Sequence, residues 1–286
     1  MSSFTQFIAC KGTLTNVSVP RVMGIVNVTP DSFYAQSRVS KAKELLRKVE
    51  EMLRRGADFI DVGGYSSRPG AADVSPDEEM RRVIPAIESI HRNFPEAKIS
   101  VDTFRARVAD TAVQAGACMI NDISGGHADP EMLDVVAKHQ VPYIVMHMRG
   151  NPRTMQKLTG YSLDIVTEVN RFFAASIQRL HRKNINDIII DPGFGFAKTL
   201  EQNYMMLKHL DRFLLHRKPV LVGMSRKSML YKLLQTDQNE ALNATTAVHI
   251  LALLKGASVL RVHDVKEAKE AIRIVSYMDG ITKNRL

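Results

Sequence analysis

Seven short apolar runs in this 286-residue chain end in side chains that a protein core does not favour. VMGIVN ends in Asn27, FIDVG carries Asp61 and runs into GGYSSRPG, and KISVD ends in Asp102. CMIND ends in Asn121 and Asp122, IIIDPG carries Asp191, VLVGMS leads into Arg226 and Lys227, and VLRVHD contains Arg261, His263 and Asp264. Carboxylates and amides such as Asp102, Asn121 and Asp191 can read the N–H edge of a heterocycle. Arg68, Lys227, Arg261 and His263 can neutralise phosphate. Taken singly, each aspartate reads equally well as a cap for the next helix. Taken together, they describe a site for a ligand with a heterocyclic part and an anionic part.

Two polar stretches belong with this set. GGYSSRPGAADVS, at 63 to 75, combines glycines, serines and Arg68, which offers backbone N–H donors and a cation to an anion without forming a GxxxxGK[ST] loop. NVTPDSF, at 27 to 33, leaves an apolar strand directly for an amide, hydroxyls and a carboxylate. It reads as one wall of the site.

The elements that must position these groups alternate. The apolar runs at 22–27, 59–63, 98–102, 118–122, 143–148, 188–193, 220–225 and 259–264 are continuous, as strands buried on both faces should be. Stretches with helical spacing lie between them at 41–57, 76–94, 104–117, 129–139 and 163–183, with a further apolar one at 240–255. Gly56, Gly116 and Gly256 sit where helix-ending glycines belong. Strand then helix, repeated eight times without a GxGxxG turn, predicts an α/β fold, a closed (β/α)8 TIM barrel. In that fold the carboxyl ends of the strands converge on the active face. The expectation is a single domain over 1–286, with an N-terminal hairpin at 1–20 closing the barrel bottom, the barrel at 21–280 and a tail at 281–286.

The bulk numbers exclude several classes. A hydrophobic fraction of 45% with 24% charged residues is ordinary globular composition. The net charge of +9 is dispersed, with no basic run and no aromatic-basic interleaving, so nucleic acid is not an expected partner. Cys10 and Cys118 belong to no CxxC pair, so neither a disulfide framework nor a zinc site is indicated. No signal peptide or membrane-spanning run is evident, and a soluble, cytoplasmic protein without a membrane partner is expected.

The motifs MGIVNVTPDSF, DFIDVGGYSSRPGA, SVDTF, NDISGG, MHMRGNPRTMQ, DPGFGFAKT, GMSRKS and RVHDV occur in this order from Gly24 to about Asp264. In this the chain closely resembles the dihydropteroate synthases of the folate pathway. The resemblance implies a (β/α)8 barrel, usually a homodimer, that joins 6-hydroxymethyl-7,8-dihydropterin diphosphate to 4-aminobenzoate. It also implies release of pyrophosphate, a requirement for Mg2+ and inhibition by sulfonamides.

Carried over by position, Asp102, Asn121, Asp191 and Lys227 resemble the family's pterin pocket, with Met146 and Phe196 as its apolar walls. Asn27 resembles the magnesium and diphosphate ligand, and Arg261 and His263 the grip on the diphosphate. Ser67 and Arg68 resemble the contacts to diphosphate and aminobenzoate, and Ser228 the donor to the aminobenzoate carboxylate. The chain departs from the family at Tyr34, Ala35, Gln36 and Ser37, where Ser, Asp and Gly are common, and at Tyr65 and Ser67, where an acidic residue and Thr are common. These changes bear on aminobenzoate affinity and inhibitor sensitivity more than on the reaction. A pterin-binding methyltransferase of the methyltetrahydrofolate:corrinoid type shares the barrel and the heterocycle readers. It has no need of SSRPG, SRKS and RVHD together. The helix at 240–255 suits either a dimer contact or a buried barrel helix.

Overall fold

A computed structural model describes residues 6–28, 38–65 and 74–283. The chain opens with an antiparallel hairpin, β1 (Phe7–Cys10) and β2 (Thr13–Asn16). Lys11 and Gly12 join them with φ of 51° and 69°, the two positive angles that a tight hairpin turn requires.

Eight parallel strands follow: β3 (Arg21–Asn27), β4 (Phe59–Gly63), β5 (Ile99–Asp102), β6 (Met119–Asp122), β7 (Tyr143–Met146), β8 (Ile188–Asp191), β9 (Leu221–Val222) and β10 (Val259–Val262). Their order is β8-β7-β6-β5-β4-β3-β10-β9, and a parallel bridge between Ile190 and Val220 joins the two ends. The sheet is a barrel, as the strand–helix alternation predicts.

The helices on its outside are α1 (Arg38–Arg54), α2 (Pro76–Asn93), α3 (Ala106–Gln114), α4 (Met132–His139), α5 (Ile165–Arg182), α6 (Leu200–Lys208), α7 (Ser228–Leu233), α8 (Leu242–Leu254) and α9 (Val265–Lys283). Three of them end alike. Gly56, Gly116 and Gly256 have φ of 96°, 117° and 91°. The residue after each donates back across the last turn, Ala57 to Met52, Ala117 to Ala112 and Ala257 to Ala252, at 2.9, 3.0 and 3.0 Å. A left-handed residue that reverses the chain this way is favourable only for glycine, and it aims the chain at the next strand.

The core has three tiers. Ile8, Cys10 and Val17 of the hairpin region pack on Met23, Phe59, Met119, Ile144, Ile189, Leu221 and Val259, which lie in the amino-terminal halves of the barrel strands. The hairpin therefore plugs the amino-terminal end. A second, larger cluster fills the space between sheet and helices. The third is small and lies at the opposite rim: Ile123, Met146, Met155, Phe196 and Ala197. No described helix is long and apolar enough to cross a membrane.

Several elements differ in extent from the sequence expectation, among them β7 and β10, which end two residues early at Met146 and Val262. β9 holds only two residues of the run at 220–225, because the chain turns at once: Lys227 N–H bonds to the Met224 carbonyl and Arg226 has a φ of 53°. β8 stops at Asp191, since Pro192 has no N–H to extend the ladder. At the other end, α9 stays helical to Lys283, past the boundary expected at 280.

Candidate active site

None of the strand-end groups that could read a heterocycle caps a helix. The residue in the capping position of α3 is Arg105, that of α4 is Glu131, and α6 is capped by Thr199, whose hydroxyl accepts from Gln202 N–H. Asp102, Asn121 and Asp191 are spared that work. The register sets Asp102 beside Asn121, and Asp191 beside Met146.

The centre of the site is an ion network. Arg261, on β10, donates from Nε to Asp61 Oδ2 at 2.6 Å and from Nη2 to Asp102 Oδ2 at 2.6 Å. Asn121 Nδ2 donates to the same Asp61 oxygen at 3.0 Å. Asp61 is fully buried, and its other oxygen has no hydrogen-bond partner among the described residues. Burial, reinforced by Asp61 nearby, raises the Asp102 carboxyl to about 7 against the pull of Arg261. The Arg261 guanidinium, though buried, is held charged by Asp61 and Asp102.

Asp191 is buried on the other side, and its Oδ1 accepts the Gly193 N–H at 2.7 Å. Burial pushes its carboxyl up, opposed mainly by Lys227. Lys227 Nζ donates to the Phe194 carbonyl at 2.5 Å and stands 4.6 Å from the centre of the Phe196 ring. Burial lowers its amine to about 8, with Asp191 acting against that shift. Phe196 and Met146 belong to one apolar cluster, against which Phe104 and Met148 also pack. The arrangement offers an apolar slot with carboxylates on its inner side and cations beside them, which suits a flat, polar-edged ring carrying an anionic substituent.

The remaining expected residues lie around this slot. Asn27 is exposed at the end of β3, paired in register with Gly63. His263 is half-buried just beyond β10, and its N–H donates to Ser225 Oγ at 3.2 Å. Ser228 is half-buried as the first residue of α7. Ser67 and Arg68 lie outside the described residues, as do residues 29–37 with most of NVTPDSF and the departures Tyr34 to Ser37.

Two other strand-end acids do structural work instead. Asp122 accepts from Ser124 N–H, Gly126 N–H and the Tyr143 hydroxyl at 2.7, 2.8 and 2.7 Å. Asp264 takes Arg226 in a two-point pair at 2.8 and 2.9 Å. The carboxylate missing from the expected set is Asp61. It lies in the middle of β4, two residues short of the strand end, and its value lies in a contact to Arg261 across 200 residues of sequence.

A family model described as pterin binding enzyme matches residues 23–263. A dihydropteroate synthase of Escherichia coli is 44% identical over 277 residues, covering 96% of this chain and 97% of the relative. The chain belongs to the dihydropteroate synthase family. Among solved members of the family, that of Yersinia pestis in a sulfonamide complex superposes with a TM-score of 0.89 at 41% identity, covering 96% of this chain and 100% of the other. The Xanthomonas albilineans synthase with 4-aminobenzoic acid gives a TM-score of 0.88 at 38% identity over 96% and 99% of the two chains. Membership of the dihydropteroate synthase family decides between the two enzyme readings of the sequence, against the corrinoid methyltransferase.

Proposed function

We propose that this chain joins 6-hydroxymethyl-7,8-dihydropterin diphosphate to 4-aminobenzoate, giving 7,8-dihydropteroate and pyrophosphate, with the residues of the barrel rim in the following roles. The observation that carries the assignment of roles is that Asp102, Asn121 and Asp191 are buried or half-buried, cap no helix and share one neighbourhood with Lys227 and Arg261.

The leaving group sits on a carbon next to an electron-rich ring, so C–O cleavage runs ahead of attack and spreads positive charge over the pterin. Asp191 and Asp102 accept the ring's N–H groups and favour that cation. Lys227 donates to the ring's carbonyl side, and Met146 and Phe196 sandwich its faces. Arg261 keeps Asp61 and Asp102 through Nε and Nη2, and its Nη1, which bonds to no described residue, turns to the diphosphate with His263 and Arg68. Preorganised charges of both signs in a buried site cost no reorganisation when the bond breaks. Ser228, with Ser67, holds the aminobenzoate carboxylate so that its amine faces the carbon from the open side.

The donor set suits a hard cation that keeps most of its own shell. No group of three His, Cys, Asp or Glu among the described residues could cage a metal, while Asn27 presents an exposed amide at the rim. Magnesium takes few protein ligands beside substrate phosphates and water. Mg2+ would be held by Asn27 and the diphosphate, where it supplies positive charge to the leaving group.

We further propose a cytoplasmic homodimer. Both cysteines are unpaired, as in a reducing compartment. Helix α8 is apolar on all sides, and Leu251 and Leu254 leave it 51% and 49% exposed.

The test is a pyrophosphate-release assay with each substrate omitted in turn. Release that needs pterin diphosphate, 4-aminobenzoate and Mg2+ together is expected. Pyrophosphate release that does not depend on 4-aminobenzoate would contradict the condensation.

A further inference from the structure

We propose that Lys198 is a positioning residue for the pterin pocket: its amine ties the loop after β8 to the loop after β7 and so holds Phe196 and Asp191 in place. The proposal rests on the pterin reading above.

Lys198 is a lysine where none is expected, 4% exposed and with no ion pair within salt-bridge distance among the described residues. Its Nζ donates to the Phe196 carbonyl at 2.8 Å and to the Gly193 carbonyl at 2.9 Å. On the far side it meets His147 Nδ1 at 3.0 Å and, at longer range, the His147 carbonyl at 3.4 Å. Burying an amine is costly unless its donors are used, and an ammonium has three N–H for the three nearer acceptors. Burial, opposed by Asp191, pushes the amine well below its ordinary value. Even the neutral form keeps two N–H, enough for the two carbonyls of the β8 loop. Burial also lowers His147 to about 2, so its ring is neutral and can accept.

What the amine holds is an irregular stretch of backbone. From Gly193 to Ala197 the chain passes through left-handed angles at Gly193, Gly195 and Ala197, with φ of 71°, 83° and 49°. Phe196 N–H bonds back to the Gly193 carbonyl at 3.1 Å, and the other fixings come from side chains: Lys227 at the Phe194 carbonyl, Gln156 at the Gly195 carbonyl, Asn203 at Gly195 N–H, Tyr161 at the Ala197 carbonyl, and Lys198 at Gly193 and Phe196. The two loops also touch with no room to spare, because a Cβ on Gly193 would lie 2.1 Å from the His147 carbonyl oxygen. Gly193 is held through both of its backbone polar groups, its carbonyl by Lys198 and its N–H by Asp191 Oδ1. The same amine thus fixes the backbone of Phe196, one wall of the slot, and the partner of Asp191, its inner carboxylate.

The experiment uses the full chain with Lys198→Met, which keeps the bulk and removes the donors. Melting curves, calorimetric titration with 6-hydroxymethylpterin and steady-state KM values for both substrates are compared with wild type. The variant should melt cooperatively, lose pterin affinity and raise the KM for pterin diphosphate by about 10-fold or more. The KM for 4-aminobenzoate should stay within about 3-fold, since that substrate sits outside the loop Lys198 organises. A stable variant that binds pterin like wild type, or one that loses both substrates equally, would overturn the proposal. If Lys198→Met does not fold, Lys198→Ala with added propylamine carries the test. Pterin affinity that returns with the amine supports the positioning role, and a folded variant that ignores the amine overturns it. Failure of both variants to fold makes Lys198 a stability residue, which also overturns it. Wild-type protein that binds no pterin would instead refute the underlying reading.

Discussion

Asp102 shares its cation: the Arg261 guanidinium that lies 2.6 Å from its Oδ2 also lies 2.6 Å from Oδ2 of the fully buried Asp61. From the sequence alone Arg261 reads as a phosphate grip, but in the fold it also neutralises two acids. Arg261→Ala should therefore do more than weaken pyrophosphate binding. Removing one partner of a buried ion pair costs about 3–5 kcal/mol, with the lower end expected because Asp102 and Arg261 are 18% and 19% exposed. Adding Asp61→Asn should return part of the stability without returning pyrophosphate affinity. Urea unfolding and calorimetry of the single and double variants measure both, and a double variant no more stable than Arg261→Ala would remove the network.

The two titrating groups of the slot set its pH range. Asp102 must be ionised to accept from the ring, and it titrates at about 7. Lys227 must be protonated, and it titrates at about 8. The kcat/KM for pterin diphosphate should rise through the first value and fall through the second, with its maximum between them. Stability carries a further sign. The folded Asp102 keeps its proton up to about pH 7, whereas an unfolded aspartate releases it near 3.8, so folding binds a proton in that window. This contribution is complete below pH 3.8 and is lost as pH rises through 7. Asp102→Asn should flatten it, so the variant gains on wild type between pH 5 and pH 8. Parallel stability profiles would contradict the assignment.

Asn27 tests the metal. Asn27→Ala should shift the Mg2+ dependence of turnover to higher concentration while 6-hydroxymethylpterin binds as before, because the ring's partners lie deeper in the barrel. An unaltered Mg2+ titration would take Asn27 out of the site.

For the assembly, Leu251→Lys places a charge in the exposed apolar surface of α8. Sedimentation should find wild-type dimers and variant monomers. A variant that still sediments as a dimer would move the interface elsewhere.

The strands and the polar residues at their ends were legible because a buried parallel strand is a run of Ile and Val that stops at the rim. The hairpin was legible through two weakly alternating pieces, FIACKG and LTNVSV, and three helix ends through glycine. Helices α6 and α7 were not foreseen. Helix α7 holds only six residues, and the apolar residues of α6 do not gather into a clear stripe on one face, although Thr199 and Gln202 spell a capping box. The site was read as a set of residue types, which separates ring readers from phosphate binders but says nothing of pairing. Sequence spacing could not tell that Asp122 and Asp264 are consumed by structural partners while Asp61 is joined to Arg261. Lys198 was hidden for the same reason. A lysine in a loop motif looks solvated until the fold closes over it.

Asp191 carries the central claim, that strand-end carboxylates read a pterin and do not serve the helices. Its Oδ1 accepts from Gly193, a bond that the amide oxygen of an asparagine can keep, while the group facing the slot changes from acceptor to donor. Hydrogen bonds to a charged group contribute roughly 1.5–3 kcal/mol each, so Asp191→Asn should weaken pterin binding by about 100-fold or more. The measurement is calorimetric titration of 6-hydroxymethylpterin into Asp191→Asn, with a melting curve of the same sample. Lost binding in a protein that melts like wild type is the predicted result. Wild-type affinity in a stable Asp191→Asn protein would contradict the account.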